Sequence, residues 1–232
     1  MSETKFKKVT HCIFDMDGLL LDTERLYTDA TQRILNKFGD QVYTFDVKLS
    51  LMGMVHMDMC RKIVDVYKLP ITPEEYSKLQ KQINSEIMSN AQFMPGAEKL
   101  LRHLHKHNIP FCLATSSGED MVEIKITHHQ DVFKLFHHRV CGSTDPDVKH
   151  GKPAPDIFLV AASRFPDKPD PSQCLVFEDA PNGVKGAHSA GMQVVMVPDE
   201  RVPLEMCSLA TQRILSLEQF QPELFGLPPF DN

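Results

Sequence analysis

The chain has 232 residues, 42% of them hydrophobic and 24% charged, and a net charge of -6. That length suits one large domain or one domain with an insertion, and the acidic balance offers no basic footprint for nucleic acid. No apolar run approaches the roughly 18–20 residues of a membrane span, and no secretory h-region follows the lysine-rich start, so a cytoplasmic protein without nucleic-acid or membrane partners is expected.

In chain order, residues 9–14 are rich in apolar and β-branched residues and short enough for a buried strand. The run ends in Asp15-Met16-Asp17-Gly18, two carboxylates two residues apart. Asp22 or Thr23 is placed to cap a helix with Leu26, Ala30, Ile34, Leu35 and Phe38 on one face, stopping near Gly39. From there to about residue 90 the pattern is helical, over 54–68 and 72–89, and strand patterns are missing. The later helix opens on a capping box from Thr72 to Glu75, with Pro73 at its first position.

Alternation of strands and helices then resumes. A helix is expected over 97–107, and a strand over 109–114 leads into Thr115-Ser116-Ser117-Gly118. A helix toward His129 and a short strand over 139–141 follow. A polar loop precedes Gly151-Lys152-Pro153 and a helix over 157–164. A strand over 174–177 ends in Glu178-Asp179, a helix runs from Pro181 to Ala190, and a last strand covers 194–197. This order predicts an α/β fold: a doubly wound parallel sheet of Rossmann-like type with an inserted helical cap. Residues 1–22 and 91–232 are expected as the core and 23–90 as the cap. Cys12, Cys60, Cys112, Cys141, Cys174 and Cys207 show no CxxC spacing and are expected as buried, reduced thiols, with Cys12, Cys112 and Cys174 inside apolar runs read as central strands.

In a parallel sheet, ligands sit at the carboxyl ends of the strands. Asp15 and Asp17, Thr115 and Ser116, Lys152, and Glu178 and Asp179 all fall there or in adjoining loops. Each group also has an ordinary reading. Asp-x-Asp-Gly is good turn chemistry, Thr115 to Ser117 could cap a helix, Lys152 could be a solvated lysine, and Glu178-Asp179 could be an acid pair at a helix start. Together they suit a phosphate monoester, a dianion that repels nucleophiles. Mg2+ held by Asp15, Asp179 and a backbone carbonyl would neutralise that charge, with Lys152 as a second cation. Thr115 and backbone N–H groups near Ser116 and Gly118 could cradle phosphoryl oxygens. One carboxylate of the pair could attack phosphorus while the other handles protons.

These four groups resemble the motifs of the haloacid dehalogenase-like hydrolase superfamily, over nearly the whole chain and including a small helical cap after the first motif. The resemblance implies Asp15 as nucleophile and Asp17 as general acid/base, with Thr115 binding phosphate and Lys152 orienting nucleophile and phosphate. It implies Mg2+ on Asp15, the carbonyl of Asp17 and Asp179, with Glu178 nearby, and a small phosphorylated metabolite as partner. A sugar phosphomutase would keep this machinery, but the related β-phosphoglucomutases carry histidine where this chain has Tyr27. A dehalogenase needs no metal and would leave Asp17, Glu178 and Asp179 without use.

Tyr27, Met52 and Arg61 are candidate cap residues near a substrate, and Gly53 a tight point there. Met52, Met54, Met57 and Met59 are expected as cap core. His103 and His107 have a zinc-compatible i, i+4 spacing, but with no third ligand evident a solvated helix face is expected. His128, His129, His137 and His138 are expected at surface loops or helix ends. The absence of coiled-coil or repeat signatures leads us to expect a monomer.

Overall fold

The computed structural model describes residues 5–51, 54 and 56–231. The elements of the first part are β1 (His11–Phe14), α1 (Thr23–Phe38), α2 (Phe45–Leu51), α3 (His56–Tyr67), α4 (Pro73–Ile87) and α5 (Ala97–Lys106). Then come β2 (Phe111–Thr115), α6 (Glu119–Lys125), α7 (Gln130–Phe133), β3 (Arg139–Cys141) and α8 (Asp156–Ser163). The chain continues with β4 (Cys174–Glu178), α9 (Pro181–Ser189), β5 (Gln193–Met196) and β6 (Gln212–Arg213).

The strands form one sheet in the order β3-β2-β1-β4-β5-β6, and all five pairings are parallel. Every residue of β1, β2 and β4 is buried, which is why these strands read as unbroken apolar runs. Alternate side chains feed two cores. Cys12 and Phe14 face one that includes Leu100, Leu101 and Leu104 of α5. Ile13 faces the other, with Ile157 and Phe158 of α8 and Val184 and Ala187 of α9. A sheet covered on both faces leaves its strand ends as the place for polar groups.

β1 is central. Phe14 pairs with Leu113 of β2 and with Phe177 of β4, so Asp15, one residue on, emerges between Ala114 and Glu178. The reversal after β1 is tight: the amides of Leu20 and Leu21 both donate to the Met16 carbonyl. It delivers the chain into four helices that pack in series, α1 on α4, α4 on α3 and α3 on α2. The α4 capping box is present, with Thr72 Oγ1 accepting from the Glu75 amide at 3.2 Å and the Thr72 amide donating to Glu75 Oε2 at 2.8 Å.

Several expectations need correction. Asp22 precedes α1 but makes no side-chain cap; it pairs with Arg25 instead. α2 has seven residues and β6 two, too few for periodicity to reveal. Met54 is exposed, not cap core, and Met52 and Gly53 lie outside the described residues. His103 is 6% exposed, and its Nε2 lies 2.9 Å from the Pro228 carbonyl, because the C-terminal segment covers that face of α5. His103, His107 and Asp231 bring ligand atoms within 4.8 Å of one another, but Lys106 already holds the Asp231 carboxylate at 2.7 Å. The six cysteines are buried and unpaired. Among the described residues no helix is long and apolar enough to cross a membrane.

Candidate active site

Three of the expected groups meet at Lys152. Its Nζ donates to Asp15 Oδ1 at 2.5 Å, Glu178 Oε1 at 2.7 Å and the Ala114 carbonyl at 3.0 Å. All three ammonium donors are therefore used. The side chain is 8% exposed, so the solvated-lysine reading does not hold. Lys152 reaches this point from the loop before α8, whose face packs under the sheet.

Asp15, Glu178 and Asp179 each bring a carboxylate oxygen within 4.8 Å of the others. One lysine cannot balance three carboxylates, which leaves two negative charges unmatched. Burial, and then the neighbouring Glu178 and Asp17, push the Asp15 carboxyl up to about 7 against the opposing pull of Lys152. Burial, Glu178 and Asp15 hold Asp179 well above the usual carboxylate range. Converging hard oxygens with excess negative charge are the donor set of a divalent cation such as Mg2+. The cluster thus fits that ion.

Two glycines make the cluster possible. Gly18 has φ +78, and a Cβ there would stand 2.4 Å from Asp179 Oδ2. A Cβ on Gly183, in the first turn of α9, would stand 1.9 Å from the Glu178 carboxyl carbon. Glu178 Oε2 also accepts from the amides of Asp179 and Ala180 at 3.1 and 3.3 Å.

The Asp17 side chain lies outside the three-carboxylate group. Its Oδ1 accepts from Thr23 Oγ1 at 2.7 Å and Lys125 Nζ at 2.5 Å. Its Oδ2 accepts from Ser117 Oγ at 2.9 Å and Thr115 Oγ1 at 3.3 Å. Burial alone would raise this carboxyl, but the charge and hydrogen bond of Lys125, with Thr23 and Ser117, hold it below its ordinary value. Thr115 is buried, its Oγ1 also accepting from the Ser117 amide at 3.1 Å. Ser116 is exposed beside it, its carbonyl accepting from Ser143 Oγ at 2.6 Å.

Lys125, Ser117 and Thr23 were not among the residues expected here. The available signal was a lysine on the apolar face of α6, next to Ile126 and three residues after Val122, both buried. Tyr27, one turn along α1, is half-buried, with Lys125 Nζ 5.3 Å from its ring centre. Arg61 stays on the surface of α3, paired with Asp58 at 2.5 Å.

Residues 9–191 match the haloacid dehalogenase-like hydrolases. A Drosophila melanogaster protein named probable pseudouridine-5'-phosphatase is 59% identical over 230 residues, 99% of each chain. An Arabidopsis thaliana protein named (DL)-glycerol-3-phosphatase 2 is 44% identical over 227 residues, 97% of this chain and 94% of its own. A haloacid dehalogenase family hydrolase from Deinococcus radiodurans, crystallised with bound phosphate and sodium, superposes with a TM-score of 0.79 over 97% of this chain and all of that one. At 20% identity that last likeness speaks for the fold. The chain belongs to the haloacid dehalogenase-like hydrolases, and it is a phosphatase of that family.

Proposed function

We propose that this phosphatase hydrolyses pseudouridine 5'-phosphate to pseudouridine and phosphate, with Asp15 as nucleophile. The observation that carries the chemistry is the buried Asp15 carboxylate at the central strand end, hydrogen-bonded to Lys152 and facing Glu178 and Asp179. The substrate reading is supported by the 59% identity to the Drosophila relative over nearly the full length of both chains. A second reading, hydrolysis of glycerol phosphate or a small sugar phosphate, is favoured by the 44% identity to the Arabidopsis relative. A phosphosugar mutase is disfavoured by Tyr27.

The bonds change in two steps. A dianionic phosphate bound beside Asp17 raises its proton affinity, so Asp17, a carboxylate in the free enzyme, enters the first step protonated. An Asp15 oxygen attacks phosphorus, the P–O bond to the alcohol breaks, and Asp17 gives its proton to the departing oxygen. Asp17, now a carboxylate, takes a proton from the water that attacks the aspartyl phosphate, freeing phosphate and Asp15. Lys152 holds the attacking carboxylate in place and offsets its charge. Thr115, with the backbone at Ser116, binds phosphoryl oxygens. Mg2+ would be held by Asp15, the Asp17 carbonyl and Asp179, with Glu178 adjacent, and supplies charge neutralisation for the dianionic phosphate. Residues 1–22 and 91–232 act as the catalytic core, and 23–90 as a cap that shapes substrate choice.

The test is phosphate release with Mg2+ from pseudouridine 5'-phosphate, uridine 5'-phosphate, glucose phosphates and glycerol phosphate side by side. A kcat/KM preference for pseudouridine 5'-phosphate over uridine 5'-phosphate of about several hundredfold, roughly 3–4 kcal/mol, is expected. Weak release from all of them would discard the substrate and keep the chemistry.

A further inference from the structure

Lys125 ends α6, and its side chain is 0% exposed. A buried ammonium costs several kcal/mol unless paired, and an apolar side chain of similar length fills such a slot at less cost. Val122 and Ile126 on the same face are apolar and buried. Packing therefore does not account for a lysine here.

Its partners do. Lys125 Nζ donates to Asp17 Oδ1 at 2.5 Å and to Ser117 Oγ at 2.8 Å. The Ser117 hydroxyl then donates to Asp17 Oδ2 at 2.9 Å, so the ammonium grips both carboxylate oxygens, one directly and one through serine. Thr23, the first residue of α1, holds Oδ1 from the other side at 2.7 Å. The carboxylate cannot rotate without losing a charge-assisted bond.

We propose that Lys125 is a positioning residue for Asp17, fixing its carboxylate, directly and through Ser117, for proton transfer at the oxygens bonded to phosphorus. Lys125 has this role only if Asp17 is the general acid/base assigned above. The chemistry separates it from a merely structural lysine. An alkoxide leaving group needs a proton from Asp17 as its bond to phosphorus breaks, whereas p-nitrophenolate leaves without one. Misplacing Asp17 should therefore slow transfer from an alkyl phosphate and spare transfer from p-nitrophenyl phosphate.

The experiment is rapid-quench measurement of phosphoenzyme formation in wild type, Lys125→Met, Asp17→Asn and the double variant, with glycerol phosphate or a nucleoside 5'-phosphate against p-nitrophenyl phosphate. Lys125→Met is expected to slow formation from the alkyl phosphate by about 10–100-fold, with KM and the p-nitrophenyl phosphate rate within about threefold. In the Asp17→Asn background the same change should have little further effect. Equal slowing with both substrates, or an undiminished effect in that background, overturns the proposal. Wild-type rates in Lys125→Met, while wild type forms the phosphoenzyme, overturn it and leave the aspartyl-phosphate reading standing. Absence of phosphoenzyme in wild type overturns both. Should Lys125→Met not fold, Ser117→Ala keeps the ammonium and breaks its link to Oδ2. A several-fold loss confined to the alkyl phosphate supports the clamp, and unchanged rates refute it.

Discussion

Gly183→Ala is a one-carbon change that should disable the carboxylate cluster. The new Cβ would stand 1.9 Å from the Glu178 carboxyl carbon and 1.9 Å from Oε1, where ordinary contact begins near 3.4 Å. Glu178 must yield, yet it is 1% exposed and held by Lys152 at 2.7 Å and by two backbone amides. Alanine gains about 0.5–1 kcal/mol over glycine within a helix. Overpacking costs about 1–3 kcal/mol, and a lost hydrogen bond to a charged group about 1.5–3 kcal/mol. The net expectation is a destabilisation of about 2–4 kcal/mol, a fall in Tm of roughly 5–15 °C at this chain length. Displacing the cluster by about 1 Å should also lower kcat on the order of 100-fold. Thermal melts and steady-state phosphate release read both effects. A variant as stable and active as wild type would refute the close approach of α9 to Glu178.

Asp15→Asn should abolish turnover while the chain stays folded. In the native state this carboxyl is raised from 3.8 to about 7, so the folded state binds the extra proton between those values and loses stability as pH rises through that window. Asparagine cannot ionise, so in metal-free buffer the variant should gain on wild type between pH 4 and 7, on the order of 4 kcal/mol at completion; a pH-independent difference in Tm would contradict this. Lys152→Met strips two buried carboxylates of their cation and should cost about 3–5 kcal/mol without metal, with part of the loss recovered in Mg2+. A melt unchanged from wild type would count against the ion-pair geometry. Excess EDTA should stop phosphate release and Mg2+ should restore it, and activity that persists in chelator removes the ion from the chemistry.

The sheet was legible because buried parallel strands read as apolar runs bounded by polar turns. Residues 174–177 could be taken for β4 from four apolar letters alone, and the acids after them marked its carboxyl end. The same logic named Asp15, Lys152, Glu178 and Asp179; the structure sets Asp15 and Glu178 on the Lys152 ammonium and Asp179 beside these two carboxylates. For Lys125 the local signal, a place on the apolar face of α6 beside Val122 and Ile126, told of burial but not of role, since its partner Asp17 lies 108 positions away. The burial of His103 escaped for a like reason: its cover, at Pro228, is 125 positions distant. The outward place of Arg61 could not be read either, because i, i+3 pairing with Asp58 is a choice among rotamers.

The most direct measurement is chemical trapping of the nucleophile. Enzyme quenched in acid during turnover is reduced with borohydride, which converts an acyl phosphate to homoserine, and the peptide spanning residues 9–25 is sequenced by mass spectrometry. Homoserine at position 15, absent from Asp15→Asn, is the predicted result. Modification at Asp17 instead, or unmodified peptide from an enzyme that is turning over, would contradict Asp15 as nucleophile.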